Sequence, residues 1–326
     1  MEASAQVTRR PFQAGDGPSL AQAWTLAAPG DGITYDRFRD LILLDRNFDA
    51  NGLVVAEREG EILGAAYGVR RRIAVHADDL ESTSGWLPFF FVRPDVQCQG
   101  LGRQLVTNAV DWLRNQGATT VYFSSYTPNY FLPGLDAARY RSADALLRSL
   151  GFGTQYESVA MDRTLNDYVM PVAIRAKIDG LRQRGYALGS PSSDDLVDLI
   201  DIAGRFNPDW SRVIREAVLA GLPLQQILVA RDPAGAMLGW AMHGTYERVL
   251  ERFGPFGVLP DSRGLGLGEV LLHLTLERMR ALGGHSAWFL WTEEASPAGH
   301  LYLKTGFTVT RTFAILQAQL SAIVSS

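Results

Sequence analysis

The sequence predicts an α/β (α+β) fold made of two tandem copies of one domain, each a mixed, mostly antiparallel sheet flanked by helices. Three observations predict it. Five sequence blocks recur in the same order in the two halves. Each half carries two apolar runs separated by turn residues, the pattern of a β-hairpin. Each half then sets a glycine loop between an apolar run and a segment of helical period.

The recurrence carries most weight. Gln97-Cys98-Gln99-Gly100-Leu101-Gly102 is matched by Arg263-Gly264-Leu265-Gly266-Leu267-Gly268 at an offset of 166. The same offset carries Gln116-Gly117 onto Leu282-Gly283, and Val121 to Ser125 onto Ala287 to Trp291. Upstream, Val54-Val55-Ala56 faces Leu228-Val229-Ala230 at 174, and Gly64 faces Gly239 at 175. Downstream, Gly151-Phe152 faces Gly306-Phe307 at 155. The fall from 166 to 155 after Ser125 marks an insertion in the first copy around Pro128 to Tyr140. Copies of roughly 155 residues can each hold a core. The division is expected as residues 1–168 and 169–326, with the junction near Asn166 to Pro171.

Each copy reads alike along the chain. A first strand (Val7 to Phe12; Tyr186 to Leu188) leads into helices, and Ser193 is the expected N-cap before Asp194 to Ala203. A short helix over Val172 to Gln183 precedes the second copy. The hairpins are Leu53 to Glu57 with Ile62 to Val69, turning at Glu59-Gly60, and Ile227 to Arg231 with Met237 to His243, turning at Asp232 to Gly235. Apolar strands follow at Trp86 to Val92 and Phe253 to Leu259. After each glycine loop, Val106, Ala109, Val110 and Leu113, and likewise Leu267, Val270, Leu271 and Leu274, keep the spacing of a buried helix face. Another apolar strand and a last short helix close each copy.

Composition narrows the function. Of 326 residues 47% are hydrophobic and 20% charged, the balance of a globular chain rather than a disordered one. A net charge of −4 gives no global basic field, so no nucleic-acid partner is expected. The single cysteine, Cys98, excludes an intramolecular disulfide framework. The five histidines show no metal-ligand spacing, and no metal is expected. No uninterrupted apolar stretch reaches about 18 residues, so no membrane span is expected. The cytoplasm is the expected compartment.

The glycine loops carry the chemistry. A helix opens with four unpartnered N–H groups and a partial positive charge, and glycine lets a phosphate approach the backbone. A strand, a glycine loop and a helix in that order form an anion site. A nucleotide P-loop would need Lys-Ser or Lys-Thr after the last glycine, where this chain has Arg103-Gln104 and Glu269-Val270. A dinucleotide fingerprint would need a third glycine where Glu269 stands.

The motif Arg/Gln-x-x-Gly-x-Gly, between a strand and a helix in both halves, resembles the GNAT superfamily of acetyl-CoA-dependent N-acetyltransferases. The resemblance implies that the loops bind the diphosphate of coenzyme A, through Gln97, Gly100 and Gly102 in the first copy. In the second copy Arg263, Gly264, Leu265, Gly266, Leu267 and Gly268 take that role. It implies direct attack by a primary amine on the thioester in a ternary complex. A strand N–H near Val258 or Leu259 would hold the oxyanion, with Val92 as the counterpart in the first copy.

The family's Leu-Tyr-x-x-x-Gly-Phe motif is present as Leu301-Tyr302-Leu303-Lys304-Thr305-Gly306-Phe307. In the first copy Leu147 stands where the tyrosine would be. Tyr302 can protonate the leaving thiolate and Leu147 cannot. The second copy is therefore expected to be catalytic and the first to be a degenerate copy still able to bind coenzyme A.

Glu293 and Glu294, after the strand Ser286 to Trp291, are candidates for the base that deprotonates the amine. The acceptor class is a small-molecule or peptide amine. Alternatives are a non-catalytic coenzyme A-binding sensor or scaffold, and a transferase for a longer acyl-CoA. The insertion, with its prolines and aromatics, is expected either to shape a site or to be a packed cover over the sheet end or the inter-domain seam.

Overall fold

The computed structural model describes residues 6–75 and 79–323, so His76 lies outside the described residues. The chain forms two compact units. Unit 1 is Met1–Ser158 with Phe313–Ser326, and unit 2 is Val159–Thr312.

Unit 1 contains β1 (Thr8–Pro11), α1 (Gly17–Ala27), α2 (Tyr35–Phe38), β2 (Leu53–Arg58), β3 (Glu61–Val69), β4 (Ser84–Val92), α3 (Leu101–Asn115), β5 (Thr120–Phe123), α4 (Arg141–Ser149) and the start of β6 (Gly153–Thr164). Unit 2 holds the end of β6, then α5 (Val172–Gln183), β7 (Ala187–Gly189), α6 (Leu196–Phe206), α7 (Pro208–Leu219), β8 (Ile227–Arg231), β9 (Met237–His243), β10 (Phe253–Val258), α8 (Leu267–Ala281), β11 (Ser286–Thr292) and α9 (Pro297–Lys304). The final strand, β12 (Thr308–Gln319), begins in unit 2 and ends in unit 1.

The repeat is therefore a structural one. Helices α3 and α8 are each 15 residues long and run at the same offset of 166 as the loops before them. In both, the residue before the helix is a left-handed glycine, Gly100 at φ 85° and Gly266 at φ 74°. Such a φ is open to glycine at no steric cost, so both loops need glycine here.

In unit 1, β1 to β4 form an antiparallel meander. β5 pairs parallel with β4, and the last residues of β12 pair antiparallel with β5 from Leu316↔Phe123 to Gln319↔Thr120. Helix α3 buries Leu105, Val106, Ala109, Val110 and Leu113 against this sheet. On the other face, Trp24 from α1 packs with Phe89 and Phe91 of β4 and with Phe131 of the insertion. In unit 2, β7 to β10 form a four-stranded antiparallel sheet, and β11 pairs antiparallel with the end of β6. Helix α8 buries Leu267, Val270 and Leu271 there, with Leu274 partly buried.

The division at 168/169 read from the sequence differs from the compact units in two respects. The boundary falls inside β6, and Phe313–Ser326 completes unit 1 instead of the second copy. Both long strands escaped the sequence reading, which ended each copy on its short helix. Their first halves are exposed and polar, as in Gly153 to Glu157 and Thr308 to Thr310, so they lack the alternation that signals a strand. Ser193 is not a cap but opens a 3-10 turn, Ser193–Asp195, that leads into α6; Ser192 caps that turn, its N–H donating to Asp195 Oδ2 at 2.6 Å in a reciprocal capping box.

Candidate functional site

In unit 1 the site begins where two strands part. β4 and β5 pair only from Ser84↔Thr120 to Leu87↔Phe123. Ser124 and Ser125 then take positive φ and the chain turns away. β4 continues alone against β3 as far as Gly64↔Val92. Arg93 donates its backbone N–H to Leu63 O at 2.8 Å. By the alternation of an antiparallel ladder, the N–H groups of Phe90 and Val92 then point away from β3, into the gap that β5 has left.

The gap opens into a cavity of about 710 Å³. Its lining includes Gln97, Cys98, Gly100, Gly102 and Arg103, which belong to the glycine loop and the first turn of α3. The Gln97 side chain donates Nε2–H to Val92 O at 2.8 Å, which fixes the loop to the strand end. The lining also includes Trp24, Phe89, Phe91 and Phe131 and a polar group, Asp31, Asp136, Arg139 and Tyr140. The Tyr140 hydroxyl donates to Asp31, and Arg139 Nη1 lies 3.5 Å from Asp31 Oδ2. In the insertion Phe131 packs over the sheet, and Phe131, Leu132, Gly134, Leu135 and Asp136 line the cavity. Leu135 exchanges backbone hydrogen bonds with Ala314 at 2.9 and 2.8 Å. That approach needs Gly134, because a Cβ there would lie 2.5 Å from Ala314 O.

Unit 2 repeats the parting of strands with different contents. The residue before β10 meets β11 at a parallel bridge, Arg252↔Trp288, and beyond it Phe253 packs on Phe289 with ring centroids 6.3 Å apart. Leu259 donates its N–H to Leu238 O at 2.8 Å, so of the two oxyanion donors expected from sequence it is already committed to the ladder. The Val258 N–H points away from β9 by the same alternation.

Tyr302 lies on α9 among four phenylalanines, with ring centroids 4.5 Å from Phe289, 5.6 Å from Phe307, 6.0 Å from Phe253 and 6.2 Å from Phe256. Burial pushes its phenol well above the ordinary value, so it stays protonated. Leu147, its counterpart in unit 1, is fully buried in that unit's core. Glu293 and Glu294 are exposed, in the turn between β11 and α9.

The unit 2 loop is half-buried at Leu265 and Gly266, where the Lys177 side chain lies against it. Lys177 Nζ on α5 donates to Glu269 Oε2 at 2.5 Å, and Lys304 Nζ lies 2.9 Å from Glu269 Oε1. These two ammonium groups, Lys177 first, hold the Glu269 carboxyl below the usual carboxylate range. Arg263 is exposed at the loop's start.

Two histidines are buried. His243 is buried, with Nδ1 3.1 Å from Leu250 O, and burial lowers its pKa to about 4. His273 Nδ1 lies 2.8 Å from the Tyr168 hydroxyl. Among the described residues no cluster of His, Cys, Asp or Glu could hold a metal ion, and no helix is long and apolar enough to cross a membrane.

The sequence did not single out Asp31, Arg139, Tyr140, Lys177 or Lys304. Arg139 and Tyr140 fall at the end of the insertion it delimited, and Lys304 falls inside the Leu-Tyr-x-x-x-Gly-Phe motif. Nothing local marks Asp31 or Lys177.

Comparison with known proteins agrees with the repeat. The sequence profile of the Acetyltransferase (GNAT) family matches residues 19–131 and again 203–307, more than half of the chain. A mycothiol acetyltransferase from Arthrobacter sp. (strain FB24) is 26% identical over 218 residues, covering 60% of this chain and 64% of the relative. Among solved structures, the glucosamine N-acetyltransferase region of a fungal multi-domain GH3 β-N-acetylglucosaminidase superposes with a TM-score of 0.79 at 20% identity. That match covers 97% of this chain and 38% of the other. A tandem GNAT protein from the clavulanic acid biosynthesis pathway superposes with a TM-score of 0.64 at 14% identity, covering 97% and 99%. Both structural likenesses are likenesses of fold.

Proposed function

As the chain belongs to the GNAT acetyltransferase family, we propose that it moves an acetyl group from acetyl-CoA to a primary amine by direct attack within a ternary complex. The observation that carries this reading is the unit 1 cavity, which joins the glycine loop, the free edge of β4 and a polar pocket in one space. In this reading the loop N–H groups and the α3 terminus take the diphosphate of the cosubstrate. The pantetheine arm lies along β4. The Phe90 and Val92 N–H groups face the thioester carbonyl and hold its oxygen as charge develops.

The amine enters from the Asp31 and Tyr140 end, loses a proton and attacks the carbonyl carbon. The tetrahedral intermediate collapses, the C–S bond breaks, and the thiolate takes up a proton. Holding both reactants in one cavity supplies the orientation that such a step needs. The similarity to a mycothiol acetyltransferase supports a small-molecule acceptor.

A second reading places transfer in unit 2, favoured by the protonated phenol of Tyr302 beside the parted strands. There Val258 N–H would serve the oxyanion, and Glu293 or Glu294 the amine proton. Acetyl transfer to a panel of primary amines by Gly102→Glu and Tyr302→Phe decides between the two. Loss with the first substitution and retention with the second is expected. The reverse result assigns transfer to unit 2, and no transfer by the wild-type chain sinks both.

A further inference from the structure

The two glycine loops are internal controls for each other. At Gly100 a Cβ would meet nothing within 4 Å, and the loop stands open to the cavity. At Gly266, the same position, a Cβ would lie 3.0 Å from Cδ and Nζ of Lys177. The next difference is one of charge. Directly after the second glycine, unit 1 has Arg103, whose Nη2 donates to Ser149 Oγ at 2.7 Å. Unit 2 has Glu269, paired with Lys304 at 2.9 Å and Lys177 at 2.5 Å. Ser149 and Lys304 correspond at the offset of 155 that relates α4 to α9. One contact is thus built twice with different charges. A carboxylate in the first turn of α8 already draws on the favourable field of the helix N-terminus, and it repels a second anion arriving there.

We propose that Glu269 is a built-in counter-anion which, with Lys177 laid over Gly266, closes the unit 2 loop to the diphosphate of coenzyme A. Lys177 and Lys304 are the cations that would face a diphosphate once the carboxylate is gone. This rests on family membership for the choice of ligand and does not require acetyl transfer in either unit.

The test counts coenzyme A sites by calorimetric titration of the full chain. The wild type is expected to show one site, Glu269→Gln two, Gly102→Glu none, and the double variant one. Two sites in the wild type, or no gained site in Glu269→Gln, overturns the proposal. If the wild type shows none and Glu269→Gln gains one, the unit 1 reading fails while the closure of unit 2 stands.

Lys177→Met uncovers Gly266 but leaves the carboxylate, and the count should not rise. A gained site there would place the closure on the lysine's bulk and remove Glu269 from it. Should Glu269→Gln not fold, Arg103→Glu with Ser149→Lys builds the unit 2 pair into unit 1. It should weaken coenzyme A binding there at least about tenfold, a difference of about 1.4 kcal/mol. Unchanged affinity overturns the proposal.

Discussion

Arg103 and Glu269 occupy one position in the two copies, each directly after the second glycine of its loop, and each meets a residue that also corresponds, Ser149 or Lys304. The charge is reversed at that position, and Lys177 lies over Gly266 in the second copy where nothing lies over Gly100 in the first. The backbone beneath is the same, down to the left-handed glycine before each helix.

The Glu269 cluster makes stability depend on pH with a definite sign. Its carboxyl is depressed in the folded chain by Lys177 and Lys304, so its contribution is present above the ordinary glutamate range and is lost as pH falls through the lowered value. Glu269→Gln should cost about 1 kcal/mol at pH 7, allowing for partial exposure. Urea unfolding of both proteins at pH 7 and near pH 3 checks this, and the gap between them should close in acid.

The buried histidines act in a higher window. His243 and His273 are both lowered to about 4 by burial. The unfolded chain takes up protons near the ordinary histidine value of about 6.5, so these two groups subtract stability as pH drops from there towards 4. His243→Gln should flatten that part of a melting-temperature-against-pH profile; an unaltered slope would show that His243 is not protected.

Tyr302→Phe should be nearly silent in stability. The hydroxyl makes no hydrogen bond to a described residue, and the ring keeps its four phenylalanine neighbours. A change within about 0.5 kcal/mol is expected in thermal melts. Any fall in transfer rate with that variant would then be chemical in origin and would favour unit 2 as the seat of transfer.

Gly134→Ala tests the seam between the insertion and β12. The added Cβ meets Ala314 O at 2.5 Å, where backbone cannot yield as a flexible side chain would. A loss of about 1–3 kcal/mol is expected, with weakened coenzyme A binding because Gly134 and Leu135 line the cavity. Full retention of both would show that the Leu135 and Ala314 contact is not a constraint on the site.

Much of this architecture is legible in the residues. The hairpins β8 and β9 and the helix α5 run over the residues the sequence predicts, because each is bounded by turn residues or proline and carries a clear period. The glycine loops were legible for the same reason: their φ values leave few residue types possible. What stayed hidden was long-range. Asp31 and Tyr140 lie 109 positions apart and meet only through the fold. Lys177 reaches Glu269 across 92 positions, and no local pattern announces it. The same distance explains why the sequence weighted Tyr302 over the unit 1 cavity. A motif is local, whereas the space between two parted strands is set by everything packed around it.

Phe313–Ser326 closes unit 1, and this sets the order in which the chain can mature. Leu316 and Leu320 belong to the core under α3, and Arg114 donates to the carbonyls of Leu320 and Ile323 at 2.9 and 2.8 Å. During synthesis the first unit to emerge therefore waits, one strand short, until the whole of the second has been made. Unit 2 has all its strands by Thr312 and can fold ahead of the unit that precedes it. A stop codon or a proteolytic nick just before Phe313 would leave the later-made unit whole and disable the earlier one. The loss of that late strand would thus be felt in a core and cavity built almost wholly from residues before Val159.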